Sequence, residues 1–202
     1  MAILDAACRL DGVTVADDLM TWLSPAQVAI CPPEHVVVNN TFIKVLRPRR
    51  NPAKEGSADA GYFQRTISYR EYAQLGEGFA IALEIDEQYH HQLRDYLLQI
   101  NYFGKRGSFM QIQDIPYRSD NLPDDFIAIN GDISTGFRME SIMTQLDDTS
   151  ADVTFKQANI YNKGSKADEK IKLGKDRILH HVSLPYRLVS SSRGYSFYEL
   201  KR

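Results

Sequence analysis

The strongest constraint on the fold lies between residues 35 and 85. A β-branched and aromatic run, Val36, Val37, Val38, Phe42, Ile43 and Val45, reads as a strand over 35–46. A basic stretch over 47–77 follows, broken by Pro48, Pro52, Gly56, Gly61 and Gly76, so it reads as loop or hairpin. FAIALEI at 79–85 then alternates as a second strand. Two strands so separated need a long excursion between them, flanked by whatever covers the sheet.

Helices supply the cover. Residues 2–10 place Ile3, Leu4, Ala7 and Cys8 on one stripe, closed by Gly12. Thr14 is positioned to cap a second helix whose Val15, Leu19, Trp22 and Leu23 share a face, ended at Ser24-Pro25. Residues 26–31 are β-like, with Pro32-Pro33 after them. An amphipathic helix spans Tyr89–Ile100 with Leu93, Tyr96, Leu97 and Ile100 inward, and FMQIQDI (109–115) reads as another strand. Further strands are expected at 126–130, 137–145, 151–161, 178–189 and 195–200. The order over the first 115 residues is α-β-β-α-β with a long basic insertion, one strand short of the β-α-β-β-α-β ferredoxin-like unit. The fold class expected is therefore α+β: a ferredoxin-like (RRM-like) domain over 1–115, thumb-like insertion 47–77 included, and a smaller β-rich part over 116–202.

A chain of 202 residues suits one domain or two small ones and buries roughly 70% of its unfolded surface without disulfide or metal. Apolar content of 43% and charged content of 25% exclude disorder, collagen and coiled coil. No apolar run spans a bilayer and no basic leader opens the chain, so a cytoplasmic location is expected. Cys8 and Cys31 read as buried thiols in a reducing compartment.

The net charge of −2 argues against a nucleic-acid partner only until it is resolved by position. Residues 44–70 hold seven basic side chains and two acids, residues 163–177 six and three, and residues 114–152 nine acids against two arginines. Segregated charge of this kind can bind a polyanion on one face and repel it on another; the plainer reading is that exposed loops are simply charged.

Within the basic insertion, Lys44, Arg47, Arg49, Arg50, Lys54, Arg65 and Arg70 interleave with Tyr62, Tyr69 and Tyr72. Guanidinium groups on phosphates and rings on base faces hold single-stranded nucleic acid in this way; a solvated hairpin is the plainer alternative. Asn101–Phe109 carries Gly104, Lys105, Arg106, Gly107 and Ser108, whose backbone amides and charges suit a phosphate or form an ordinary helix-to-strand turn. Arg187 and Arg193 flank three serines in a further segment, Leu184–Tyr195, which reads either as a terminal hairpin or as a second backbone-contacting loop. His90-His91 and His180-His181 point neighbouring rings to different faces, so neither pair chelates alone, and no motif supports a metal site or cofactor. Asp124-Asp125 and Asp147-Asp148 read as solvated turns. No catalytic residue is assigned, although His180 or His181 is available as a general acid or base.

Taken together, Asn39–Lys44, Ile67–Tyr72, Asn101–Phe109 and Leu184–Tyr198 resemble the CRISPR-associated RAMP family that caps the 5′ end of crRNA in type I Cascade complexes. The resemblance covers nearly the whole chain. It implies an RRM-like fold with a basic thumb hairpin at 47–77 and a glycine-rich loop at 104–108. It also implies a non-catalytic role in antiviral defence. In that role the chain holds the crRNA 5′ handle, contacts the backbone and large subunits, and meets target DNA only indirectly. Family members open with a first strand and a proline-rich turn ahead of the helix seen here at 2–10, and this chain is expected to lack that opening. One branch of the family processes precursor crRNA, so the alternative function is a metal-independent endoribonuclease. A protein scaffold whose basic insertion meets an acidic partner is the third.

Overall fold

A computed structural model describes residues 1–58, 60–104, 108–117, 121–130, 141–159 and 171–201. The described residues are α+β, with three sheets, the two larger of them antiparallel, and few helices. None of those helices is long and apolar enough to cross a membrane. They fall into two compact units. One gathers Met1–Cys31, Ala80–Phe137 and Met143–Leu184; the other gathers Pro32–Phe79, Arg138–Ile142 and Pro185–Arg202.

The first unit holds the apolar core. Helix α1 (Ala2–Asp11) buries Leu4, Ala6 and Ala7, with Ile3 and Cys8 half-buried beside them. A single 3-10 turn over Val13–Val15 runs directly into α2 (Ala16–Leu23), so Thr14 lies within that turn and caps nothing. Leu19 and Trp22 are buried on α2, and Trp22 stacks on Tyr89 with ring centroids 4.5 Å apart. Strand β1 (Gln27–Cys31) pairs antiparallel with a strand at Ala80–Glu84 on one edge and with a short one at Ile127–Ala128 on the other. Helix α3 (His90–Leu97) packs Leu93 and Tyr96 against α1 and α2, and Ile100 closes the layer just beyond its end. Tyr96 is 1% exposed; its hydroxyl donates to Asp11 at 2.7 Å and accepts from Gln92 at 2.8 Å. Burial raises its pKa, and the Asp11 bond adds to the shift.

The second unit is a four-stranded sheet. Strand β2 (His35–Ala53) and β3 (Gly61–Leu75) form a long antiparallel hairpin, in unbroken pairing from Val36↔Leu75 to Pro48↔Phe63. The ladder shifts after Pro48 and resumes at Ala53↔Gly61; the prolines of this segment, Pro48 and Pro52, have no N–H to donate to it. The segment 47–77 is therefore mostly strand. Taking the strand at Ala80–Glu84 as β4 and that at Ile127–Ala128 as β5, the remaining strands are β6 (Ile142–Thr149), β7 (Arg177–Leu184), β8 (Tyr186–Ser191) and β9 (Tyr195–Leu200). The sheet order is β3-β2-β9-β8, while β6 pairs with β7 in the first unit.

Three expected elements differ. Residues 109–115 form no strand: Phe109 makes one isolated bridge to Tyr102, and alternation alone does not make a strand where no edge is offered to pair with. Within 151–161 the described part holds a helical turn, Phe155–Ala158, because Thr154 and Gln157 close a capping box. The single strand expected at 178–189 is two, separated at Pro185. Of the strand expected at 137–145, residues 137–140 lie outside the described residues.

Candidate nucleic-acid interface

In a strand, successive side chains point to opposite faces, so the hairpin ladder decides which residues act together. One face carries Phe42, Lys44 and Leu46 on β2 opposite Tyr69, Ile67 and Arg65 on β3, with Pro48 opposite Phe63. All are exposed; Phe42, Leu46 and Ile67 each keep about two-thirds of their surface open, at 68%, 65% and 67%. Phe42 and Tyr69 meet edge to face with centroids 4.9 Å apart. The opposite face carries Arg47, Arg70 and Tyr72 among Asn39, Thr41, Ile43, Val45, Gln64, Thr66 and Ser68, with Ile43, Val45 and Arg70 half-buried. The basic residues of the hairpin therefore divide into two sets, one on an exposed aromatic-cationic face and one on a mixed, partly covered face. Half-buried Arg49, exposed Arg50 and exposed Tyr62 lie where the ladder shifts, next to the turn.

Among the described residues, only the base of this hairpin is flanked by another strand. Strand β9 pairs with β2 from His35 to Asn39, and the Asn40 N–H donates to Gly194 at 2.9 Å. From Thr41 onward, among the described residues, β2 has β3 alone as a neighbour. The Ser192–Gly194 turn that meets Asn40 carries Arg193, exposed, at the point where the free hairpin begins. Arg187 is engaged differently: its guanidinium bonds Glu199 across the β8–β9 pair, with Nε 2.9 Å from the carboxylate. It is a cross-strand ion pair first and a phosphate ligand only if that pair opens.

The loop over 101–109 belongs to the first unit. Phe103 N–H donates to Ser108 at 3.1 Å and Met110 N–H to Asn101 at 3.0 Å, holding its two described ends together around the Tyr102–Phe109 bridge. Gly104 has φ +72° with open space where a Cβ would lie, a backbone state that disfavours other residues. Phe103 packs against the core while Phe109 is 79% exposed. Lys105, Arg106 and Gly107 lie outside the described residues.

Each histidine singled out by sequence has a neighbour. His180 lies 3.4 Å from Asp148 and His181 bonds Gln145 at 2.8 Å, on opposite faces of β7; the His90 ring meets His91 edge-on and Tyr117 at a tilt. Asp147 and Asp148 sit at the end of β6, not in a solvated turn, and Arg177 bonds both oxygens of Asp147 through Nε at 2.6 and 2.7 Å. Those bonds hold the Asp147 carboxyl below its ordinary 3.8. A lowered carboxyl contributes stability above the ordinary value, and that contribution is lost as pH falls through the lowered one. Arg177→Gln is expected to return the Asp147 midpoint to near 3.8, read by carboxyl carbon NMR; an unmoved midpoint would refute the pairing. Cys8 and Cys31 are half-buried thiols not joined in a disulfide; burial raises the Cys8 thiol, with Asp5 adding to it.

Sequence reasoning missed Phe42, Leu46, Phe63 and Ile67 as surface groups. Their signal is parity: large apolar residues at alternate positions on both arms of a hairpin, on the same face as Lys44 and Arg65. Comparison with protein-family models, with curated proteins and with solved structures returns no match to this chain.

Proposed function

We propose that this chain binds single-stranded RNA through the β2–β3 hairpin, as the crRNA 5′-handle subunit of a type I CRISPR interference complex. The observation that carries the reading is the Phe42–Tyr69, Lys44–Ile67, Leu46–Arg65 ladder on an arm with no third strand among the described residues. A two-stranded ribbon is marginal in water, and a large exposed apolar surface marks an interaction site. Rings and aliphatic stems alternate there with cations at the spacing of successive residues on one face, which is what stacking of bases beside neutralised phosphates requires. The order helix, strand, hairpin, strand, helix around β1 and β4 further supports an RRM-like ferredoxin reading of the first unit and its insertion. The proposed partners are crRNA and the backbone and large subunits of the complex, and the role is binding without cleavage.

The test separates the two faces. Fluorescence anisotropy with a short single-stranded RNA is expected to show Lys44→Ala/Arg65→Ala weakening binding and lowering the salt slope by about 0.7 per lost phosphate contact. Arg47→Ala/Arg70→Ala is expected to change both much less. Equal, negligible effects in the two pairs would end the hairpin reading. Repeat RNA incubated with the chain in EDTA is expected to remain intact; discrete cleavage abolished by His181→Ala would replace binding with the endoribonuclease alternative.

A further inference from the structure

The two ends of the hairpin meet at a cluster that RNA binding does not use. Glu34 immediately precedes β2, and Glu77 follows β3 by two residues. Between them, Gly76 N–H donates to the His35 carbonyl at 2.9 Å. A Cβ on Gly76 would lie 3.1 Å from the Cβ of His35, so a side chain there would push the crossing open. The close crossing brings Glu77 over the imidazole, with Oε1 3.0 Å from Nδ1 and Oε2 3.3 Å from the His35 N–H. The Glu34 N–H also donates to this carboxylate, and Phe197 stacks on the imidazole at 5.8 Å.

We propose that Glu34, His35 and Glu77 form a binding site for one divalent transition-metal ion of the zinc type. One atom from each, two carboxylate oxygens and one imidazole nitrogen, lie within 4.8 Å of one another. Tetrahedral ligands held about 2.0–2.2 Å from a zinc ion sit roughly 3.3–3.6 Å apart. Nδ1 and Oε1, now 3.0 Å apart in a hydrogen bond, need to separate by only a few tenths of an ångström to reach that spacing, and the Glu34 carboxylate has to close in from within 4.8 Å. Two carboxylates balance the charge of a divalent cation, and the imidazole favours zinc-like ions over magnesium or calcium. The neighbouring Glu199, opposite His35 on β9, is held by Arg187 and stays outside the set. Backbone donors fixing Glu77 and a ring fixing His35 are the supports that orient metal ligands. A bound ion would tie the start of β2 to the end of β3. This proposal stands independently of the RNA reading.

The test is titration of Zn2+ into the full chain after EDTA treatment and dialysis, followed by calorimetry, with Mg2+ in parallel. Expected are one saturable Zn2+ per chain, no comparable Mg2+ binding, and a higher thermal midpoint when Zn2+ is present. His35→Ala and Glu77→Gln are each expected to weaken binding at least about tenfold. Glu34→Gln does the same while leaving the His35–Glu77 bond in place, so a folding defect in the other variants does not decide the outcome. His91→Ala and His181→Ala, which remove other exposed imidazoles, are expected to bind as wild type. Absence of saturable binding, undiminished affinity in Glu34→Gln, or loss in His91→Ala or His181→Ala would overturn the site.

Discussion

Tyr96→Ala is expected to lower the stability of the helical unit by about 3–5 kcal/mol, the range for removing a large buried ring. A domain rarely has more than about 5–15 kcal/mol in total, so the variant should sit at the edge of folding. Tyr96 is fully enclosed between α1, α2 and α3, and no solvent-facing relaxation fills the void it leaves. Tyr96→Phe separates the ring from its hydroxyl. It keeps the packing but leaves Asp11 and Gln92 without their shared partner, for a loss of about 1 kcal/mol. Urea unfolding followed by Trp22 fluorescence reports this unit alone, because the single tryptophan stacks on Tyr89 in the same layer. A Tyr96→Ala midpoint equal to wild type would mean that the three helices do not share this core.

Phe42→Ala/Tyr69→Ala is expected to cost about 2–6 kcal/mol of RNA affinity if each ring stacks one base. That is a loss of at least about 30-fold. The salt slope should stay unchanged, since no phosphate contact is removed. Tyr72→Ala, on the opposite face beside Asn39, is the matched control and should bind nearly as wild type. The two rings also touch each other, a contact of about 0.5–1.5 kcal/mol that steadies the ribbon. Tyr69→Phe keeps that contact and both stacking surfaces, so it should bind normally. Affinity loss of the same size in Tyr72→Ala would show that frayed structure, not stacking, is being measured.

The helical layer was legible because burial imprints a period on sequence: Leu4, Ala7, Leu19, Trp22, Leu93 and Tyr96 fall where the stripes put them. Strands β1 and β4 were legible for the same reason. The first arm of the hairpin was legible as a strand over 35–46, whereas 47–77 read only as a basic, aromatic loop or hairpin, because Pro48 and Pro52 argue locally for a loop. Its sidedness follows from pairing, and pairing depends on where the turn falls. FMQIQDI shows the opposite failure, since it has the pattern of a strand and no described edge to join. The Thr154–Gln157 capping box was readable but lies among residues of strand propensity. The Glu34–His35–Glu77 cluster was beyond reach of any local pattern, because the closing carboxylate is 42 residues from the imidazole.

The position of β2 between β3 and β9 has a consequence for how the chain is made. Val36 pairs with Leu75 on one side and with Tyr198 on the other. At about 5–20 residues per second, a ribosome that has released the hairpin takes roughly 6–25 s more to deliver the strand that completes the sheet. During that interval the His35–Asn39 edge stands open beside exposed rings, a surface on which nascent chains associate with one another. Yield of the intact protein should therefore respond to translation speed over the second half of the message, and to whatever shields that edge until the last strand arrives.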